Sequence, residues 1–303
     1  MAVGNFDGVH VGHAAIVAAL RTTARRLGVP AVALTFDPHP TSVLRPEAAP
    51  APLTTPARRA ELLAALGVDA VLVQPADVQL MSLPAESFYT DVLRGRLAAT
   101  ALVEGQDFLF GAGRRGDVTV LREWCAADGL SLDVVAPVMA GAEPVSSSRI
   151  RGLIAAGDLR GANALLTAAF RLSGTVVKGA QRGAGLGFPT ANLASIATLV
   201  PAQGVYAARA AVADAGGGRT LHAAAVHIGP NVSFGESAVS VEVHLVGFSG
   251  DLYGHRLDVD FLERLRDTRR FESVAELKAQ LAADVAATTA IAESPPSIPD
   301  RNA

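Results

Sequence analysis

His10 and His13 lie three residues apart in the stretch Gly4-Asn5-Phe6-Asp7-Gly8-Val9-His10-Val11-Gly12-His13, just before a helical pattern. Gly4, Gly8 and Gly12 let main chain approach a phosphate closely, and the start of the following helix favours an anion. At this spacing both imidazoles can face one bound triphosphate and donate hydrogen bonds as negative charge builds on it. A lone histidine would read as structural; a pair inside one glycine-bearing turn does not. A second dense stretch runs from Gly174 through Lys178-Gly179 to Phe188-Pro189-Thr190-Ala191-Asn192. It pairs a strand with a flexible glycine-rich turn whose N–H groups at Gly179 and Gly183 can cover phosphates. The Thr190 hydroxyl and the Asn192 carbonyl oxygen are hard ligands that suit Mg²⁺ beside phosphate. No Gly-Lys-Ser/Thr follows, so this is not a P-loop.

Three more groups have the right types for chemistry. Ser146 and Ser147, with Arg151 one turn on, make a helix-start anion site backed by a fixed cation, although a serine alone there is simply a cap. Asp107 and Phe108 follow an apolar strand, at the carboxyl edge where ligands bind in open α/β sheets. Glu242 alternates with Val241 and Val243 and shares a strand face with His244. A carboxylate there can accept a hydroxyl proton, and a solvent-facing strand glutamate fits the same pattern.

The elements that position these groups follow from periodicity. Ala14–Leu27 predicts a helix stopped by Gly28, Ala31–Phe36 a buried parallel strand, Pro56–Leu66 a helix ending at Gly67, and Ala70–Val73 a strand. Helix Pro84–Leu97, strand Thr100–Glu104, helix Val118–Asp128 and strand Ser131–Val138 continue the alternation, which implies a parallel sheet with helices on both faces. Ser146–Leu166 is helical with a break at Gly157. Beyond Phe170 the pattern changes to short alternating strands, clearest at Val205–Val212, Leu221–Ile228, Ser240–Val246 and Arg256–Phe261, which predict a small antiparallel barrel. Ser273–Ile291 closes as a helix, with Ser273 and Glu276 spaced as a capping box. The boundaries that follow are an α/β domain over 1–167, a barrel over 168–292 and a disordered tail over 293–303.

Composition narrows the class. A chain of 303 residues favours two domains at roughly 100–200 residues each. Its formal net charge of −3 gives no basic field for nucleic acid. Apolar runs such as Ala31–Phe36 fall far short of the ~20 residues a bilayer requires, so a soluble cytoplasmic protein with no membrane segment is expected. The single cysteine, Cys125, excludes an internal disulfide, fits a reducing compartment and reads as a small buried apolar residue.

The opening stretch resembles the HxGH signature of nucleotidylyltransferases, and its longer form GxFDGVHxGH is similar to the adenylyltransferase module of bacterial bifunctional riboflavin kinase/FAD synthetases. Thr35–Pro40 matches that family's TFxPHP. Gly105–Gly111, with Arg114 and Gly116-Asp117 after it, matches GxDFxFG and its continuation, and Val145–Arg151 matches ISSTxxR with Val for Ile and Ser for Thr. The second stretch resembles the riboflavin kinase signature ending in GFPTAN. Gly204–Ala207, Gly229–Gly235, Val241–Leu245, Asp251–Gly254 and then Arg266, Arg269 and Phe271 follow in family order.

The resemblance spans residues 3–290 and implies a Rossmann-like HxGH domain followed by a flavokinase barrel with a C-terminal helix. It implies an enzyme that phosphorylates riboflavin to FMN and adenylylates FMN to FAD, using ATP and Mg²⁺. By the same resemblance His10 and His13 are catalytic in the second reaction, and Gly4, Phe6, Asp7, Gly8, Gly12, Ser146, Ser147 and Arg151 hold ATP there. Glu242 is the general base of the first, Gly179, Gly183, Thr190 and Asn192 meet its ATP, and Thr190 and Asn192 its metal. Asp107, Phe108, Phe188 and Arg266 meet flavin. The implied partners are riboflavin, FMN and ATP, for a monomer or weak homo-oligomer.

Four departures stand out: a first strand of only Met1–Val3, Ala184 where the family carries Arg, Val232-Ser233 for Pro-Thr, and Thr167-Ala168-Ala169-Phe170 for Gly-Arg-Pro-Tyr. They leave open a chain with one live activity, or a flavin-binding regulatory paralogue, which separate assays with riboflavin and FMN distinguish.

Overall fold

A computed structural model describes residues 1–179, 182–213, 218–230 and 239–294. The Asn231–Gly235 part of the kinase pattern, including Val232-Ser233, and residues 295–303 of the expected tail lie outside them. The chain divides into two compact units, Met1–Ser147 and Ser148–Ala303.

In the first unit β1 (Ala2–Val3), β2 (Val32–Asp37) and β3 (Ala70–Pro75) are parallel neighbours, as are β4 (Ala101–Gly105) and β5 (Ser131–Val135). The Val103 N–H donates to the Met1 carbonyl at 2.9 Å, which sets β4 beside β1. The order β3-β2-β1-β4-β5 reverses direction at β1/β4, the switch point where doubly wound sheets bind ligands. Successive strand residues point to opposite faces: Ala2, Ala33 and Val103 join one core with Val17 and Leu20 of α1 (Val11–Leu27) and Leu63 of α2 (Pro56–Ala65). Val3, Leu34 and Leu102 join the other, with Tyr89, Leu93, Leu121 and Cys125. The central strands β1, β2 and β4 are therefore covered on both sides, as their near-continuous apolar sequences require, while the edge strand β3 leaves Leu72 and Val73 exposed. Glycine stops α1 as expected, Gly28 being left-handed at φ +67°.

The helix expected over Pro84–Leu97 differs. It is helical over Ala85–Ser87 and then widens into π-turns over Phe88–Arg96. Gly95 permits this, since a Cβ there would sit 3.1 Å from the Thr90 carbonyl oxygen. The next helix is α3 (Val118–Ala127).

The second unit opens with α4 (Ser147–Ala156), which straddles the division, and α5 (Leu159–Leu165). The second of these packs on the barrel: the Asn163 amide donates to the Phe261 carbonyl at 2.8 Å and accepts from the Phe170 N–H at 2.9 Å. Six antiparallel strands close the barrel in the order β6 (Arg171–Val177), β7 (Ala191–Ala194), β10 (Ser240–Leu245), β9 (Arg219–Gly229), β8 (Gly204–Ala213) and β11 (Arg256–Arg266). Alternation sends Leu172, Val226, Val243, Val259 and Phe261 inward and leaves Asn192, His227 and Glu242 on the outer face. The glycine-rich segment expected as an irregular turn contains a short helix, α6 (Arg182–Leu186), ended by Gly187 at φ +90°. The closing helix α7 (Val274–Glu293) runs two residues past the expected end. Its cap is the expected Ser273, whose hydroxyl accepts from the Glu276 N–H at 3.1 Å, while the Glu276 carboxylate reaches the N–H of Glu272 rather than that of Ser273.

Candidate active sites

The Gly4–His10 turn leaves β1 at the switch point. It is strained: Phe6 and Val9 hold φ of +46° and +44°, the left-handed region that a β-branched side chain avoids. Buried contacts hold it there. The Asp7 carboxylate, 1% exposed, accepts the Leu53 N–H at 2.9 Å and both the Thr54 N–H and hydroxyl at 2.9 Å. The Gly8 N–H donates to the Thr54 hydroxyl at 3.1 Å. The Ser147 hydroxyl donates to the Asp7 carbonyl at 2.9 Å. Asp7, Gly8 and Ser147, all expected at phosphate, thus spend these groups on shaping the turn.

Arg59, missed in the sequence reading, locks the same turn. Its buried guanidinium lies 3.5 Å from the Asp7 carboxylate and donates to the Thr35 hydroxyl at 2.9 Å and the Phe36 carbonyl at 3.1 Å. Thr35 in turn donates to the Asn5 carbonyl at 2.9 Å. A visible signal existed: Arg59 stands one helical turn before buried Leu63, on the apolar stripe of α2.

His10 caps α1 and forms a reciprocal box with His13. The His13 N–H donates to His10 Nδ1 and the His10 N–H donates to His13 Nδ1, each at 3.3 Å, and the rings stack with centroids 3.6 Å apart. A Cβ on Gly12 would lie 3.0 Å from the His10 ring, so the glycine makes room for it. Burial lowers the His10 pKa to about 4 against the opposing pull of Asp107 and Asp7. Burial, with the charges of His10 and Arg59, holds His13 well below its ordinary value. Both rings are therefore neutral near pH 7. Since each Nδ1 accepts a main-chain N–H, each ring carries its proton on Nε2. The result is two stacked N–H donors at a helix start.

Asp107, on the loop after β4, is exposed and close enough to act on His10. Phe108 stacks on Phe110 with centroids 5.2 Å apart. Gly4 lies against the Phe6 ring. Ser146 precedes α4, and Arg151 lies on α4 within the second unit. Glu104, buried at the end of β4, is a further residue the sequence reading missed: its carboxyl accepts the Val3 N–H at 2.9 Å, where β1 and β4 part, and burial raises its pKa well above the usual range.

In the second unit the expected kinase residues converge on the outer face of the barrel. The Thr190 hydroxyl donates to one Glu242 oxygen at 3.3 Å and the Ser240 hydroxyl to the other at 3.1 Å. Asn192 pairs directly across from Glu242 in the ladder. The glycines cover these groups closely. A Cβ on Gly179 would strike the Asn192 side chain, and one on Gly183 would strike the Phe188 carbonyl and stand 3.5 Å from the Thr190 hydroxyl. Phe188 meets His244 edge-on at 5.6 Å, and His244 Nδ1 lies 2.8 Å from the Pro189 carbonyl. Arg266, expected at flavin, is committed elsewhere: its guanidinium grips the buried Asp284 of α7 through two nitrogens, the closest contact at 2.7 Å. Among the described residues no cluster of three His, Cys, Asp or Glu could hold a metal ion, and no helix is long and apolar enough to cross a membrane.

Residues 1–149 match the FAD synthetase family and residues 166–292 the riboflavin kinase family. A bifunctional riboflavin kinase/FMN adenylyltransferase of Pseudomonas fluorescens is 39% identical, over 96% of this chain and 92% of its own length. The protein of the same description from Escherichia coli strain K12 is 35% identical, over 94% and 90%. A crystal structure described as a macrolide-efflux protein from Streptococcus pneumoniae has a TM-score of 0.83 at 31% identity, covering 95% of this chain and 93% of that one. With both domains present in order and near full-length relatives, the chain belongs to the bifunctional riboflavin kinase/FMN adenylyltransferase family.

Proposed function

We propose that the chain makes FMN on the outer face of its barrel and FAD at the switch point of its α/β unit. In the first step the terminal ribityl hydroxyl of riboflavin attacks the γ-phosphorus of ATP. The new O–P bond forms, the bond to the β-bridging oxygen breaks, and ADP leaves. Glu242 accepts the hydroxyl proton. Its hydrogen bonds to Ser240 and Thr190 at 3.1 and 3.3 Å support a fixed carboxylate for that task. Thr190 and Asn192 beside Glu242 form an all-oxygen set that fits a hard cation, so these two would hold Mg²⁺, which supplies neutralising charge at the phosphates when bound.

In the second step an FMN phosphate oxygen attacks the α-phosphorus of ATP, the bond to the αβ-bridging oxygen breaks, and pyrophosphate leaves. The nucleophile is already ionised, so no general base is required. The observation that carries this reading is the histidine box: two neutral rings, each with its proton on Nε2, donate to the phosphate oxygens as charge develops. Asp7, Gly8, Ser147 and Arg59 position the turn that holds them. Asp107, Phe108 and Phe188 are the flavin contacts; Arg266 acts on flavin only indirectly, by holding α7. A lone buried thiol fits a reducing compartment and so supports a cytoplasmic location.

The test is a chromatographic time course of the purified chain with riboflavin, ATP and Mg²⁺. FMN rising first and FAD following supports both sites. FMN that accumulates without FAD overturns the adenylyltransferase assignment, and FAD formed from added FMN but never from riboflavin overturns the kinase assignment.

A further inference from the structure

The barrel ladder contains one continuous cross-strand row through the kinase face. Asn192 pairs with Glu242, Glu242 with His227, His227 with Val205, and Val205 with Arg266. Directly opposed residues in an antiparallel pair share a face, with Cβ atoms about 4.5–5.5 Å apart. His227 is thus the immediate neighbour of the candidate base, on the side away from the candidate metal ligand. Its Nδ1 is buried and has no hydrogen-bond partner among the described residues. Leaving a buried ring nitrogen without a partner is costly, so one beside the candidate base is explained most simply by a ligand that satisfies it.

The charged and titratable groups acting on the ring are Glu242 from β10 and Arg266 from β11, and burial keeps it neutral. A neutral imidazole offers either an N–H or a lone pair at Nδ1, depending on tautomer. A phosphate would meet only the first and would also face the Glu242 carboxylate; a cation would meet only the second. A hydroxyl can donate or accept, so it suits both.

Building on the kinase reading above, we propose that His227 is a substrate-binding residue whose Nδ1 hydrogen-bonds a hydroxyl of the ribityl chain, aligning the terminal hydroxyl with Glu242. The ligand class is a polyol chain, not the isoalloxazine ring.

The test uses the full chain and the different reach of two amides. In His227→Asn the amide overlies Nδ1, in His227→Gln it overlies Nε2, and His227→Leu carries no polar group. Loss of one hydrogen bond predicts a KM for riboflavin roughly tenfold higher in His227→Leu and His227→Gln, with kcat changed far less. His227→Asn is expected within threefold of the parent. Lumiflavin, which lacks the ribityl chain, is expected to bind all four proteins equally by fluorescence quenching, and FMN adenylylation is expected unchanged. A normal KM in His227→Leu, a KM in His227→Asn as high as in His227→Leu, or weakened lumiflavin binding overturns the proposal. If the parent chain itself never phosphorylates riboflavin, the kinase reading fails instead, and lumiflavin and riboflavin binding still decide whether His227 contacts the chain.

Discussion

The histidine box makes two separable contributions, and one substitution divides them. In His10→Asn the side-chain carbonyl oxygen occupies the place of Nδ1 and can still accept the His13 N–H, so the cap on α1 survives. What disappears is the titratable ring and its Nε2–H. The folded His10 binds its proton only near pH 4, whereas the unfolded ring does so at its ordinary 6.5. As pH falls from 6.5 towards 4, the unfolded chain takes up a proton that the folded chain refuses, so stability declines through that window and is full above it. Between pH 7 and pH 5 this amounts to about 2 kcal/mol for His10, with the pKa values of about 4 and 6.5. The side chain is buried, so solvent screening does not erode the figure.

The assay is urea unfolding followed by the fluorescence of Trp124, the only tryptophan. It packs against Tyr89 and Phe110 at 5.4 and 6.2 Å and so reports the first unit. At pH 7 the variant is expected within ~0.5 kcal/mol of the parent, as for exchange of one good cap for another. From pH 7 to pH 5 it is expected to lose about 2 kcal/mol less than the parent. FMN adenylylation is expected to fall about 10²–10³-fold, the usual cost of one preorganised donor. An identical pH slope in the two proteins would refute the buried neutral ring, and adenylylation within threefold of the parent would refute the Nε2–H donor.

Other expectations follow the same division between units. Glu242→Gln should lower riboflavin phosphorylation by about 10²–10⁴-fold while FMN adenylylation stays normal, as read by chromatography with either substrate; equal loss of both contradicts the assignment. Asp7→Ala removes the carboxylate from the buried Arg59 and four hydrogen bonds from the Leu53–Thr54 segment, and should cost about 3–5 kcal/mol in Trp124-monitored unfolding. Gly12→Ala puts a Cβ 3.0 Å from the His10 ring. It should lower adenylylation by roughly tenfold or more and leave phosphorylation of riboflavin intact; normal adenylylation would mean that the ring position does not matter.

Much of the fold was legible because the signals are local. The stop at Gly28, the break at Gly157 and the cap at Ser273 depend on the dihedrals and hydrogen bonds of adjacent residues. The widened turns over Phe88–Arg96 were not legible, because they depend on which carbonyl each N–H finds, which side-chain type does not dictate. Within the sites, the pairing of His10 with His13 is also local, three residues at a helix start. Their ionisation and tautomer are not: Leu53, Thr54 and Arg59 hold the turn from far along the chain, and burial among such segments removes the charge from both rings. The roles of Asp7 and Arg266 illustrate the same limit. Each looks like a ligand residue in its motif, yet the fold brings a buried partner to each, Arg59 to one and Asp284 to the other. His227 lay in an unremarkable alternating strand until the barrel closed and set it across from Glu242. Sequence alone determined which side chains could do chemistry and which local elements carry them, since spacing along the backbone decides both. Tertiary structure alone decided which of those side chains remain available to substrate, because desolvation and partners arrive from residues that are distant in the chain.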